Sequence, residues 1–366
     1  MFLSNLLKNI LLVIAGIALG FVMSEGILRM FFSENIVLFP RFHESVSYGD
    51  YILRRHMPNQ KFTHQSIEGR WDFTINNKGF RNYQNSDYWK SEDMIRILSV
   101  GDSQTLGFEV SQDSTFSSRL ENMFRDSGHK CEVLNTGVSG FSTAEEFVFL
   151  KEEGLKYKPD FVVIGFFNND YQDNLRTKLF GLRNDSLINI SWEYAPGTEI
   201  QQLLYSFSLF KWLSSNSYSY SFIFNNVWNY FKSKSISNAH NENLEYAVSI
   251  DTSIEEYGIK LTEKLLEKIY DVCLIYKAKL IIVDIPAINS EGQAVASLDL
   301  IQKNHPRKFC DILVSFDQLV SEIHSTEIHR RYGHRHISEK THEAIARNIF
   351  EAIQLNFPKQ QNPRGE

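Results

Sequence analysis

The stretch RILSVGDSQTLG, Arg96 to Gly107, decides the fold. An apolar run ends in the tight turn Gly101-Asp102-Ser103, and a second glycine, Gly107, follows the serine. A run of this kind reads as a buried strand, and the turn after it lies at the strand's C-terminal end. A serine held there exposes its Oγ and leaves its backbone N–H free. That is the logic of a nucleophile elbow, although GDSQTLG is not the G-x-S-x-G form. A serine hydroxyl is a weak nucleophile: it needs a base for its proton and donors for the oxyanion formed on attack. Asp-Ser after a strand is also an ordinary turn or helix cap, so the serine takes its meaning from the rest of the chain.

Outward from this stretch, strands and helices alternate. A helix is expected near Thr115 to Asp126, with Phe116, Leu120, Met123 and Phe124 on one face and Gly128 as its stop. CEVLNTGV, from Cys131, is a second strand. Ser142 caps the next helix, and Glu145 completes a capping box. DFVVIGFF, Asp160 to Phe167, is apolar throughout, as a strand covered on both faces should be. A helix through Leu261, Leu265, Ile269 and Val272 leads to KLIIVDIP, Lys279 to Pro286, a fourth strand. CDILVSF reads as strand or helix, and Ser338 caps a last helix with Ile345, Ile349 and Ile353 in one stripe. This alternation with short connections means an α/β fold, a doubly wound parallel sheet, whose ligands sit at the strands' C-terminal ends.

Upstream, Ile10 to Met23 carries no charge, and flanking apolar residues extend it to membrane-spanning length. No small-x-small cleavage site follows, so an uncleaved transmembrane anchor is expected over a signal peptide. Lys8 before it suggests a cytoplasmic N-terminus and an extracytoplasmic domain. The expected organisation is an anchor over 1–32, a linker with a small hairpin over 33–94, the α/β domain over 95–358 and a tail over 359–366. An insertion at about 174–253 interrupts the domain. It is dense in aromatics between Leu203 and Phe231, and is read as packing on the sheet and on itself.

The 366 residues are 43% apolar and 22% charged with net charge −6, which argues against a general nucleic-acid binder. Cys131, Cys273 and Cys310 form neither a disulfide framework nor a CxxC metal pattern. The histidines near the C-terminus lack a carboxylate or cysteine partner in the text, so no metal or other cofactor is expected.

Four sites fall at the expected strand ends or before the last helix: Ser103, Gly140, Asn169 and His336. A nucleophile, a close-approach N–H, an amide donor and an imidazole base are the inventory of acyl transfer. At these residues the sequence resembles the SGNH/GDSL hydrolases. GDSQTLG matches the serine block, NTGVSGFST the glycine block, FFNNDYQDN the asparagine block and HRHIS the histidine block, in the family's order. INNKGFRN, the text after the serine and PDFVVIGFFNND look like a membrane-anchored bacterial branch associated with surface polysaccharides.

The resemblance implies a flavodoxin-like, SGNH-hydrolase-type sheet. Ser103 would be the nucleophile and His336 the base. The N–H groups of Ser103 and Gly140 and the side chain of Asn169 would form the oxyanion hole. Asp102 would anchor the turn, with His334 a further supporting candidate. The family's acid before the histidine is missing, since Gly333 and His334 stand at those positions. A Ser–His dyad oriented by a backbone carbonyl is therefore expected, with a distant acid or a weakened site as alternatives. The implied activity is that of a serine esterase or O-acyltransferase on acyl groups, acetyl first among them, of a surface glycan. A lipid esterase and a non-catalytic glycan-binding or assembly protein are the other readings.

Overall fold

The computed structural model describes residues 2–249, 252–304, 309–332 and 336–356. Helix α1, Phe2–Phe31, opens the chain; its Asn5–Phe31 portion is long and apolar enough to cross a membrane and is not buried against the protein. Two antiparallel hairpins follow, β1 (His43–Tyr48) with β2 (Tyr51–His56), and β3 (Lys61–Ser66) with β4 (Gly69–Thr74). Only β4 announces itself in the sequence by alternation. In β1 and β2 the buried positions include His43, Arg54 and His56, so the apolar period is broken.

The domain proper runs β5 (Ile95–Gly101), α2 (Ser103–Leu106), α3 (Phe116–Asp126), β6 (Cys131–Asn135), α4 (Thr143–Glu152), β7 (Phe161–Phe166) and α5 (Asp170–Thr177). A segment of short strands β8 (Phe180–Arg183), β9 (Ser186–Asn189) and β10 (Glu193–Tyr194) comes next. Helices α6 (Thr198–Tyr205), α7 (Ser208–Asn216) and α8 (Tyr218–Ser249) complete it. The fold then resumes with α9 (Ile254–Ile275), β11 (Lys279–Asp284), β12 (Ala287–Ile288), β13 (Ala294–Val295), α10 (Asp299–Asn304), β14 (Ile312–Val314), α11 (Phe316–Val320) and α12 (Glu339–Asn356).

Five strands make the central sheet in the order β14-β11-β7-β5-β6, with every pairing parallel. This is the flavodoxin-like order, and β5 sits at its switch point, flanked by the strands before and after the reversal. Alternate residues of β5 feed two cores. Ile97 packs with Phe116, Leu120, Ile345 and Ile349 of α3 and α12. Leu98 and Val100 pack with Val148, Leu261, Leu265 and Ile269 of α4 and α9. The sheet is therefore covered on both faces, which explains strands without polar alternation. The expected capping box of Ser142 and Glu145 is present, and Thr115 caps α3 by accepting from the N–H of Ser118.

The aromatic segment is half packed. Tyr205 and Tyr218 are buried, while Phe207, Trp212, Phe222, Tyr230 and Phe231 are exposed. Glu25 joins the segment to α1: its carboxylate accepts from Ser217 Oγ at 2.7 Å and from the N–H groups of Tyr218 and Ser219 at 3.1 and 2.9 Å. Arg29 donates to the carbonyl of Asn216.

Candidate active site

Ser103 begins α2 directly after β5. Asp102 is the N-cap, and its buried carboxylate accepts from the N–H of Gln104 at 2.8 Å. Burial pushes that carboxyl up to about 6. The turn is tight because Thr105 folds back over the sheet. A Cβ at Gly101 or Gly165 would lie 2.1 or 2.2 Å from its Oγ1, so both strands need glycine there. Across the turn, Gln104 accepts from the N–H of Ile337 at 3.0 Å and fixes the loop that carries His336.

His336 Nε2 lies 2.9 Å from Ser103 Oγ. On the other side of the ring, Nδ1 stands 3.6 Å from Glu109 Oε2. Catalytic hydrogen bonds in unliganded sites are commonly this long and tighten with substrate. A carboxylate thus faces the imidazole where the sequence reading placed a backbone carbonyl, so the expectation of a pair without an acid is corrected. Glu109 comes from the nucleophile's own loop and not from the segment before the histidine.

The Glu109 side chain is fully buried and its backbone is left-handed, φ 62°. Ser66 Oγ donates to Oε1 at 2.8 Å, and His64 Nε2 is 3.8 Å from the same oxygen. Burial alone would raise this carboxyl. The facing His336 and His64 and the serine hydroxyl outweigh it and hold the group well below the usual carboxylate range. The strained loop has its own clamp in Arg81, which donates to the carbonyls of Leu106 and Val110, each at 2.9 Å, and to that of Gly107. The Arg81 guanidinium lies 3.7 Å from the Phe73 ring centroid. The β3–β4 hairpin and the INNKGFRN segment thus contact Glu109 and its loop through Ser66, His64 and Arg81.

Asn169 donates from Nδ2 to Asp102 Oδ2 at 3.4 Å and to Asp173 Oδ2 at 3.2 Å, which sets its amide next to the nucleophile's turn. Gly140 has φ 76° in the loop after β6. Its carbonyl accepts from Arg176 Nη2 at 3.3 Å, and Arg176 pairs with Asp173 at 2.8 Å. The glycine and asparagine loops are thus tied through one ion pair. His334 lies outside the described residues.

Other histidines have structural partners: His329 Nε2 lies 2.8 Å from the carbonyl of Pro286, and buried His342 accepts from the N–H of Phe116 at 3.2 Å. Among the described residues no three His, Cys, Asp or Glu side chains stand together as a metal would need. A groove of about 270 Å³ lined by Ile95, Asp160, Phe161 and Lys279 lies at the opposite, N-terminal edge of the sheet.

Glu109, His64, Ser66 and Arg81 were not singled out from the sequence. Glu109 left a trace: a lone acid inside the otherwise apolar run Leu106 to Val110. His64 and Ser66 left none, since their role depends on how a distant hairpin docks.

A serine, an imidazole and a carboxylate stand in line at the switch point of a doubly wound α/β fold, the arrangement that nucleophilic catalysis by serine requires. No protein-family model and no curated protein matches the sequence. Solved structures do align with it. The lipase/acylhydrolase from Enterococcus faecalis is 17% identical, covers 71% of this chain and 96% of its own, and gives a TM-score of 0.40. TesA is 12% identical, with 71% and 98% coverage and a TM-score of 0.39. AlinE4, an SGNH-hydrolase family esterase, is 15% identical, with 74% and 100% coverage and a TM-score of 0.32. Likeness at this level bears on neither substrate nor residue roles.

Proposed function

We propose that the protein is a membrane-anchored serine esterase or O-acyltransferase of the SGNH type, acting outside the cytoplasm on O-acyl groups of a surface glycan. The single observation that carries this reading is the line Ser103 Oγ to His336 Nε2 to Glu109, with separations of 2.9 and 3.6 Å. His336 Nε2 takes the proton of Ser103 as Oγ attacks the ester carbonyl. Glu109 stabilises the imidazolium and holds the tautomer that leaves Nε2 free to accept. The N–H groups of Ser103 and Gly140 receive the oxyanion, and the Asn169 amide joins them by giving up one of its two carboxylate partners, Asp102 or Asp173. Collapse expels the alcohol, protonated by His336, and leaves acyl-Ser103. Water then releases the acid, or a sugar hydroxyl takes the acyl group, with His336 again moving the proton.

The non-catalytic reading drew its support from a missing acid; the Glu109 carboxylate facing His336 supports the catalytic reading instead. The membrane part rests on α1 and on its junction with the aromatic segment. The test is labelling of the full-length protein with a fluorophosphonate probe. Labelling lost in Ser103→Ala is expected, together with acetate release from p-nitrophenyl acetate. A folded wild-type protein that neither labels nor hydrolyses would overturn the reading. Transfer shows as acetylated sugar formed at the expense of acetate.

A further inference from the structure

Beside the Gly140 loop lies a second cluster of chemistry that acyl transfer does not use. Arg54 of β2 is buried, and its Nη2 comes within 2.9 Å of where a Gly140 Cβ would be. Glu145 stands only at 3.9 Å from its Nε, and the guanidinium lies 5.9 Å from the Phe141 ring. Arg41, entering β1, is sandwiched toward α8, 5.1 Å from the Trp228 ring and 5.8 Å from the Phe224 ring. Next to them His43 and His56 face each other with ring centroids 4.6 Å apart, and Gln201 of α6 is buried against them.

Among the described residues the buried polar atoms Arg41 Nη1, Arg54 Nε and both ring nitrogens of His56 find no hydrogen-bond partner, while His43 is paired with Gln201. Unsatisfied buried donors at this density are rare in native proteins and call for a ligand or ordered water. The charge balance selects the ligand. Arg176 pairs with Asp173, which together with Glu145 must also balance Arg54, Arg41 and the nearby Lys232, and burial pushes Glu145 up to about 7. Two forked guanidinium donors in a desolvated site match an oxyanion group, carboxylate or phosphate.

We propose that the space between the β1–β2 hairpin and the α6–α8 segment is a subsite for an anionic group of the substrate, held by Arg41 and Arg54 beside Gly140. The acceptor or acylated sugar would then be an acidic one, a uronate or a phosphorylated unit. As a specificity determinant it rests on the acyl-transfer reading; as an anion site it stands without it.

Two measurements on the full-length protein in detergent keep these apart. In Ser103→Ala, which cannot turn over, inorganic phosphate and glucuronate should each be tested for saturable thermal stabilisation. Stabilisation is expected in that background and its loss on adding Arg54→Gln or, as a second route should the first not fold, Arg41→Gln. Response to glucuronate indicates a carboxylate ligand, and response to phosphate alone a phosphorylated one. In the active protein, the kcat/KM ratio between an O-acetylated polyuronate and an O-acetylated neutral mannan should fall about tenfold in Arg54→Gln, with partial recovery in Arg54→Lys. Absence of anion stabilisation, or an equal response in the arginine variants, overturns the subsite. Anion binding that needs the arginines in a protein with no serine labelling would sink the esterase reading and leave the subsite standing.

Discussion

At the residue scale the decisive side chain is Glu109. Removing its charge while keeping its shape separates orientation from packing. Glu109→Gln is expected to lower kcat by about 10²–10⁴ with little change in KM, as loss of the acid does in other serine triads. Steady-state kinetics on p-nitrophenyl acetate measure it, and a fall below tenfold would mean that the imidazole is oriented by something else. Ser66→Ala removes one donor to the same carboxylate and should cost less. The expected site was legible where a block of sequence carries a local geometry: Ser103 and Asp102 in a turn, Gly140 at a positive φ, His336 before a capped helix. Glu109 was obscured because its burial beside an imidazole is made by Arg81, Ser66 and His64. Their approach is a matter of docking between distant segments, which no local spacing encodes.

At the scale of elements, the position of Ser103 depends on β5 and β7 being close enough for Thr105 to lie across both. Gly165→Ala would place a methyl 2.2 Å from Thr105 Oγ1. Relief must come from moving Thr105, and with it the first turn of α2 and Ser103. The expected cost is about 1–3 kcal/mol in unfolding free energy, with a loss of activity larger than that stability change alone would cause. Because Thr105 Oγ1 has no hydrogen-bond partner among the described residues, Gly165→Ala combined with Thr105→Ala should recover most of the stability. Urea titration of both variants checks it, and independent, additive effects would show that the contact is not the cause. The helices and central strands around this contact were readable beforehand, since both-face burial leaves uninterrupted apolar runs and the caps are written as Ser and Thr. The β1–β2 hairpin was not, because His43, Arg54 and His56 are buried beside Tyr48, Tyr51 and Leu53 and break the apolar period.

For the whole molecule, pH sets two groups of buried residues against each other. Burial holds His56 and His342 down at about 3. Such a histidine stays neutral in the fold while the unfolded chain takes up a proton near 6.5, so its contribution is present above that pH and is lost as pH falls toward 3. Burial acts oppositely on acids. Asp284 is pushed up to about 6, and Glu146 and Asp170, neighbours in one buried site, are raised well above their ordinary values. These keep a proton in the fold that the unfolded chain gives up near 4, so their contribution is present at low pH and is lost as pH rises toward neutrality. Between about pH 4.5 and 6 the two groups pull in opposite directions, so the slope of the stability curve is the difference between their contributions. Substitution exposes the balance. Glu146→Gln removes a group that favours acid, so the slope of stability against pH in this window should become more positive, by up to about 1.4 kcal/mol per unit for one proton. His342→Gln removes a group that favours neutrality and should tilt the curve the other way by a similar amount. Denaturant unfolding of the detergent-solubilised protein at several pH values reads both slopes. Two variants that tilt in the same direction would show that the buried acids and histidines are not the opposing weights described.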